Sequence, residues 1–299
     1  MLSIIVCSRN KTLPTEFVAN VTNTVGVDHE IIAVDNSENQ YSIFSAYNIG
    51  ISKSKYPYLC FVHDDVFFHS NNWGINVIAH LQDPRTGVIG LAGGDLVLRV
   101  PASWATLISV SEKIIKSDRT GRKQTILAQK PENYTESRRS VILLDGVFMC
   151  MRRELVEKNK FDEQFLGFHG YDFDITIQSS VSGYNNYVIY DVDLEHFSRG
   201  NTDINYYRNL IAVFRKWEKY LPIIGKTISE DERKRMGIIE ERKLFQLTKK
   251  MVRKGFSTNE IIDQTIYYAN LTGSTKACRS LRIRIFFIRL FNCPKYILK

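Results

Sequence analysis

The stretch Tyr58-Leu-Cys-Phe-Val-His-Asp-Asp-Val-Phe-Phe68 decides how this chain is read. A run of apolar residues stops at one imidazole and two adjacent carboxylates, then turns apolar again. The apolar run reads as a buried strand, and an ionised carboxylate at its tip is costly unless something pairs with it. Asp64 and Asp65 therefore call for a partner.

Working outward, the same arrangement recurs. Ser3–Cys7 is a short apolar run ending in Ser8-Arg9-Asn10, and Glu30–Val34 ends in Asp35-Asn36-Ser37. Between these runs, residues 13–25 and 41–54 suit helices, although Gly50 weakens the second. Ser70 can cap a further helix reaching about residue 82, where Asp83-Pro84 stops it. Short strands alternating with longer helices predict βαβ units and a mostly parallel central sheet flanked by helices, an α/β fold. Ligands of such sheets bind at the carboxyl ends of the strands, so the three polar clusters are expected along one edge. The first βα turn lacks GxGxxG, which argues against a dinucleotide site.

Regularity fades over residues 93–140, read as a loop-rich excursion over the site. Val141–Leu144 and Val147–Met151 are apolar, with Asp145-Gly146 between them, and a helix is expected to start near Arg152. Gly167-Phe-His-Gly-Tyr-Asp-Phe-Asp174 leads into an apolar helix to about Val181, and Asn186–Tyr190 is a further strand before Glu195-His196. From about residue 203 the pattern is helical.

Two adjacent carboxylates at a strand end suit a divalent ion such as Mg²⁺ or Mn²⁺, whose remaining positions take phosphate oxygens and water. Each signal alone has a plainer reading. An Asp-Asp pair is more often a charged turn, a lone histidine such as His196 is more often a surface or core residue, and Asp172 or Asp174 can simply complement a helix N-terminus. Asp174 is the better candidate for that last role. The order and spacing of the signals carry the specificity.

In that order the chain resembles glycosyltransferases of the family 2 type, which have a GT-A nucleotide-sugar fold. The resemblance covers about residues 2–200 and rests on Ser3-Ile-Ile-Val-Cys-Ser-Arg-Asn10, Glu30-Ile-Ile-Ala-Val-Asp-Asn-Ser37, Tyr47-Asn-Ile-Gly50 and the His63-Asp-Asp65 strand end. It continues in Leu144-Asp-Gly-Val-Phe-Met-Cys-Met-Arg-Arg153, Phe161-Asp-Glu163 and the Gly167–Asp174 segment. The resemblance implies that Asp65 and His196 hold the metal and that Asp172 is the catalytic base. It implies donor contacts from Ser8, Arg9, Asp35, Asn36, Asn48, Asp64, Asp145 and Gly146. Three positions depart from the family pattern: His63 stands where Asp-x-Asp begins, Asn36 stands where a second Asp is frequent, and Tyr171 stands where Glu precedes the catalytic Asp. The histidine variant resembles one branch of the family.

The implied reaction moves a sugar from a nucleotide-diphosphate donor, expected to be a UDP-sugar, to a hydroxyl of a surface glycan or lipid-linked acceptor. Asp172 as a lone base favours single displacement, hence inversion; Asp145 leaves a retaining route open. A sugar-nucleotidyltransferase is the alternative enzyme, but its Gly-rich triphosphate loop is missing from Ser8-Arg9-Asn10-Lys11. A metal phosphohydrolase of the His-Asp type normally takes its ligands from helices, whereas His63-Asp64 ends a strand. A non-catalytic relative that binds nucleotide or glycan is the other alternative, against which stand the intact Asp65, Asp172 and His196.

Composition bounds the rest. In 299 residues, 44% hydrophobic and 24% charged, there is material for one large domain or one and a smaller one. The net charge of +8 is uneven: residues 221–299 carry 17 Lys and Arg against 7 Asp and Glu, leaving residues 1–220 slightly acidic. The expected division is a catalytic domain over 1–220 and a basic helical region over 221–299. That asymmetry speaks against nucleic acid and for an anionic membrane surface or acidic partner. Residues 271–299 hold seven Lys and Arg and no acid among apolar residues, so they suit either a helix packed with its arginines outward or peripheral contact with lipid. No apolar run reaches a membrane span, the start lacks a signal-peptide pattern, and five cysteines without a CxxC pair suggest a reduced, cytoplasmic setting, possible also at the inner membrane face.

Overall fold

In the computed structural model, three of the strands read from sequence lie side by side. β1 (Leu2–Ser8) pairs in parallel with β2 (His29–Asp35) on one flank and β3 (Tyr58–Val62) on the other. The structure describes residues 1–106, 110–117, 123–125, 136–158, 160–197, 202–226, 228–273 and 283. The remaining strands are β4 (Val66–Phe68), β5 (Thr86–Gly90), β6 (Ala92–Gly94), β7 (Leu96–Val97), β8 (Val110–Glu112), β9 (Ile114–Ser117), β10 (Lys123–Thr125), β11 (Arg138–Val141), β12 (Leu143–Leu144), β13 (Phe148–Arg152), β14 (Asn185–Ile189), β15 (Leu194–His196) and β16 (Ile223–Ile224).

The central sheet has seven strands in the order β11-β14-β5-β13-β3-β1-β2. β13 runs against β3 and β5, and β11 runs against β14, so five of the seven strands share one direction. Helices α1 (Thr15–Thr24), α2 (Ile43–Lys53), α3 (Trp73–Leu81), α4 (Arg153–Lys158) and α5 (Tyr171–Val181) accompany it. This is the expected mostly parallel α/β layout. α2 tolerates Gly50 for a packing reason: a Cβ there would lie 2.2 Å from Ile5 Cγ2, so the helix can approach β1 only without a side chain.

One local expectation is corrected. Ser70 does not cap α3; its Oγ accepts a bond from Asp193 N at 2.7 Å, and Asn72 (φ 60°) precedes the helix instead. The residues after Asp65 form β4, which pairs antiparallel with β15 in a small four-stranded sheet, β10-β9-β15-β4. Where described, the stretch from 93 to 140 also contains short strands, β6 among them in a three-stranded sheet, β12-β6-β8. Strands of two or three residues show no periodicity in sequence; pairing with distant segments creates them.

The chain divides into two compact units. The first comprises Met1–Leu96, Trp104–Gly200 and Ile224–Thr227 and contains the central sheet with the four-stranded and three-stranded sheets. Its core is rich in rings: Tyr47, Phe61 and Phe161 sit with centroids 4.9 to 5.3 Å apart, and Tyr171 meets the edge of Tyr47 at 5.5 Å. The second comprises Val97–Ser103, Asn201–Ile223 and Ile228–Lys299, so it gathers residues 201–220, which the sequence reading places with the first domain. Here α6 (Ile204–Trp217), α7 (Glu230–Arg253) and α8 (Thr258–Thr272) bury Tyr207, Leu244, Leu247, Met251, Ile261 and Tyr268 together. Capping boxes at Ser229/Glu232 and Ser257/Glu260 start α7 and α8. Within this unit the fully buried Glu240 is paired with Arg99 at 2.6 Å, as a buried carboxylate requires. The basic segment 274–299, apart from Ile283, lies outside the described residues. Among the described residues no helix is long and apolar enough to cross a membrane.

Candidate active site

The site is built from strand ends. Ser8 and Asp35 are register partners at the ends of β1 and β2, and Asn36 N donates to Ser8 O at 2.8 Å. From β1 the fully buried Ser8 donates its hydroxyl to Asp64 Oδ2 at 2.7 Å, which ties the end of β3 to its neighbour. All three polar clusters thus share one edge of the sheet, as expected.

Their side chains are differently employed. Arg9 and Asp35 are exposed; Asp35 accepts from Ser37 N at 2.9 Å, a bond that holds its carboxyl below the usual range. Asn36 is buried and spends its amide on the turn to Tyr41, donating to Tyr41 O at 3.0 Å and accepting from Tyr41 N at 2.9 Å. Asn48, on α2, clasps the loop before α5: it donates to Phe161 O at 2.9 Å and Glu163 Oε1 at 2.7 Å and accepts from Phe161 N at 3.2 Å. None of Asn48's hydrogen bonds reaches the strand ends.

Asp65 and His196 meet because β4 pairs with β15. His196 is the register partner of Val66, and Phe197 N donates to Asp65 O at 3.0 Å. This ladder brings His196 Nε2 to 3.3 Å from Asp65 Oδ1. His63 joins them, with Nδ1 at 3.8 Å from the same oxygen and its ring centroid 5.4 Å from that of His196. One ligand atom from each of His63, Asp65 and His196 lies within 4.8 Å of the others. Two imidazoles and a carboxylate, all partly exposed, form a donor set that fits a divalent transition-type ion. The sequence signal for His63 was its place beside the two carboxylates; the sequence reading gives it no ligand role.

On the other side of His63 lies the start of α5. Gly170 (φ 86°) turns the chain into the helix, and Asp172 and Asp174 fall in its first turn, where negative charge faces the helix's positive end. Asp174 is buried there. Tyr171 OH is 3.0 Å from His63 Nε2 and donates to Gly146 O at 3.1 Å. Gly146 has to be glycine, because a Cβ would lie 2.2 Å from that hydroxyl. Asp145 is held by Trp104 Nε1 at 3.2 Å and by Val147 N at 3.0 Å.

The electrostatics separate the carboxylates. Burial first, and the charge of Asp145 second, push Asp172 up to about 7, against backbone N–H groups that pull it down. A carboxyl poised near neutrality can exchange a proton at physiological pH. Burial, then the neighbouring His196, hold the His63 imidazole below its ordinary range. Burial raises the Tyr171 phenol well above 10, so it stays protonated.

Residues 3–209 match the model of a family described as "Glycosyltransferase like family". The chain belongs to that glycosyltransferase family. No curated protein sequence matches it closely. Among solved structures, the mannosyltransferase PcManGT from Pyrobaculum calidifontis, in complex with GDP-Man and Mn²⁺, is similar at a TM-score of 0.51 with 13% identity, covering 99% of this chain and 84% of that one. GalNAc-T7 with UDP, GalNAc and Mn²⁺ is similar at a TM-score of 0.50 with 15% identity, covering 78% of this chain and 53% of that one, so this glycosyltransferase spans about half of GalNAc-T7's length. These likenesses establish the GT-A fold. The match ends within α6 of this glycosyltransferase, and the rest of its helical unit lies beyond it.

Proposed function

We propose that this glycosyltransferase moves a sugar from a nucleoside-diphosphate donor, a UDP-sugar in the first instance, to a hydroxyl of a surface glycan or lipid-linked acceptor with inversion. The observation that carries the reading is the meeting of His63, Asp65 and His196 at the carboxyl edge of the sheet, linked through Tyr171 to Asp172. In this reading those three residues hold a divalent ion, and two imidazoles favour Mn²⁺ over Mg²⁺. Bound there, the ion supplies positive charge against the departing diphosphate.

The chain's own residues do the rest. The exposed Asp35 and Arg9 border the place for the nucleoside, while Ser8 fixes Asp64 beside it. Asp145 and Gly146 lie between the ion site and Asp172, at the place proposed for the transferred sugar. Asp172 takes the proton from the acceptor hydroxyl as it attacks, and its raised pKa suits it to do so near neutral pH. One carboxylate acting as base gives a single displacement and an inverted product.

The relatives support the donor class: one structure holds UDP with GalNAc and the other GDP-Man, both with Mn²⁺. A cytoplasmic setting, with the basic segment 271–299 against an anionic membrane, fits a lipid-linked acceptor. The test is a panel of UDP- and GDP-sugars with Mn²⁺, read by thermal shift and by release of nucleoside diphosphate. Stabilisation and release by at least one donor, abolished by chelator, is the expected result; indifference to all donors and to the metal refutes the reading.

A further inference from the structure

We propose that Tyr171 is a positioning residue that fixes the tautomer of His63, so that its Nδ1 presents a bare lone pair toward Asp65 and acts as a ligand atom. The inference rests on the ion site proposed above and adds to it the group that prepares one ligand.

The argument is a count of protons. Tyr171 OH lies between two acceptors, the Gly146 carbonyl at 3.1 Å and His63 Nε2 at 3.0 Å, and has a single proton to give; the neighbouring buried Tyr47 hydroxyl brings its own proton and can donate it to the Tyr171 oxygen. Gly146 is buried, and among the described residues its carbonyl has no other donor. Leaving a buried carbonyl unpaired carries a desolvation penalty, so the hydroxyl proton goes to Gly146. The 3.0 Å contact to His63 then needs the imidazole to donate, which places its proton on Nε2. In the neutral ring that leaves Nδ1 without a proton. Nδ1 faces Asp65 Oδ1 at 3.8 Å, too far for a hydrogen bond and with an acceptor on either side. Two lone pairs aimed at a shared space are what a cation resolves, and an outer-shell group that fixes the ring's tautomer is how proteins prepare such ligands.

The lock is rigid. The Tyr171 ring occupies the space a Cβ at residue 146 would need, and Tyr47 and Phe44 meet it edge-on at 5.5 and 6.3 Å. Two of the departures from the family pattern noted in the sequence, His63 and Tyr171, are therefore in direct contact. A carboxylate at position 63 has no tautomer to set; an imidazole does, and the Tyr171 hydroxyl sets it.

The experiment uses the full chain with ¹⁵N-labelled histidine, free of metal, in wild type, Tyr171→Phe, His63→Asp and the double variant. Nitrogen shifts report the tautomer, with His63→Asp assigning the signal, and Mn²⁺ affinity is read by electron paramagnetic resonance. The expected result is a protonated Nε2 and bare Nδ1 for His63 in the wild type. Tyr171→Phe then mixes the tautomers and weakens Mn²⁺ binding about ten- to a hundredfold. In the His63→Asp background the same change moves affinity by less than about threefold, because the partner it acts through is gone. Equal losses in both backgrounds make Tyr171 a packing residue and overturn the proposal. So does a wild-type His63 protonated on Nδ1, a result that needs no variant to fold. A wild type with the expected tautomer and no Mn²⁺ binding refutes the ion site, and the ligand role with it, while the Tyr171–His63 lock stands.

Discussion

Replacing Asp172 by asparagine should raise the stability of the metal-free protein while abolishing sugar transfer. In the folded chain the Asp172 carboxyl titrates at about 7 in place of 3.8, because burial and Asp145 disfavour its charge. The folded state therefore holds this proton more tightly than the unfolded chain, and stability falls as pH rises between those two values. Relative to acid pH, where the carboxyl is neutral in both states, the raised pKa costs the wild type up to about 4 kcal/mol above pH 7 and up to about 2 kcal/mol at pH 5, where the folded chain must hold a proton the unfolded chain has released. Asp172→Asn has similar shape and no charge, so it escapes that cost, less whatever its amide loses facing the Phe173 N–H that now serves the carboxylate. Urea unfolding with chelator present, at pH 5 and pH 8, measures the gap between variant and wild type. The expected gap is positive and widens by about 1 to 2 kcal/mol toward pH 8. A gap that is constant or shrinks with pH would falsify the environment assigned to Asp172. In the same variant donor binding persists and transfer is lost, whereas wild-type transfer climbs with pH through about 7; an active Asp172→Asn enzyme would move the base elsewhere.

Asp65→Ala removes the oxygen shared by both imidazoles, and Mn²⁺-dependent nucleotide binding should vanish in calorimetry with the fold retained. Mn²⁺ should support transfer at lower concentrations than Mg²⁺, since two of the three ligand atoms are imidazole nitrogens; equal potency in an ion titration would count against His63 and His196 as ligands. Gly146→Ala should cost about 1 to 3 kcal/mol in denaturant unfolding, because the new methyl meets a hydroxyl held among packed rings; no loss would mean that Tyr171 is free to move aside. Asn48→Ala should cost about 1 to 3 kcal/mol by orphaning Phe161 N and O; a variant that instead weakens donor binding without losing stability would support Asn48 as a donor contact.

The strand–helix alternation of residues 2–62 was legible because each strand is long enough to show an apolar run and each helix is bounded by turn residues. The polar strand ends could be aligned in advance for the same reason: β1 lies between β2 and β3, so their tips share an edge. His196 could be singled out as an imidazole following a strand, but its place beside Asp65 was readable only through family resemblance. What brings it to Asp65 is a three-residue strand, β4, whose apolar residues look like a continuation of β3. His63 and Tyr171 looked like two separate irregularities, since a hydrogen bond between far-apart residues leaves no mark in sequence. Ser70 shows the same limit from the opposite side: its type and position suit a helix cap, yet a backbone N–H from Asp193 claimed it.

The short strand β15 also constrains how this enzyme can change. Successive residues point to opposite sides, so His196 faces Asp65 while Glu195 is turned the other way, gripped by the Ser117 hydroxyl and by His69 Nε2 at 2.7 Å. A slip of one residue would exchange them and set one carboxylate against another where an imidazole belongs. Substitution along β15 is thus a matter of chemistry, but insertion or deletion there inverts the whole strand. Among homologous chains, the spacing across this segment should be kept more strictly than the identity of any residue beside the histidine.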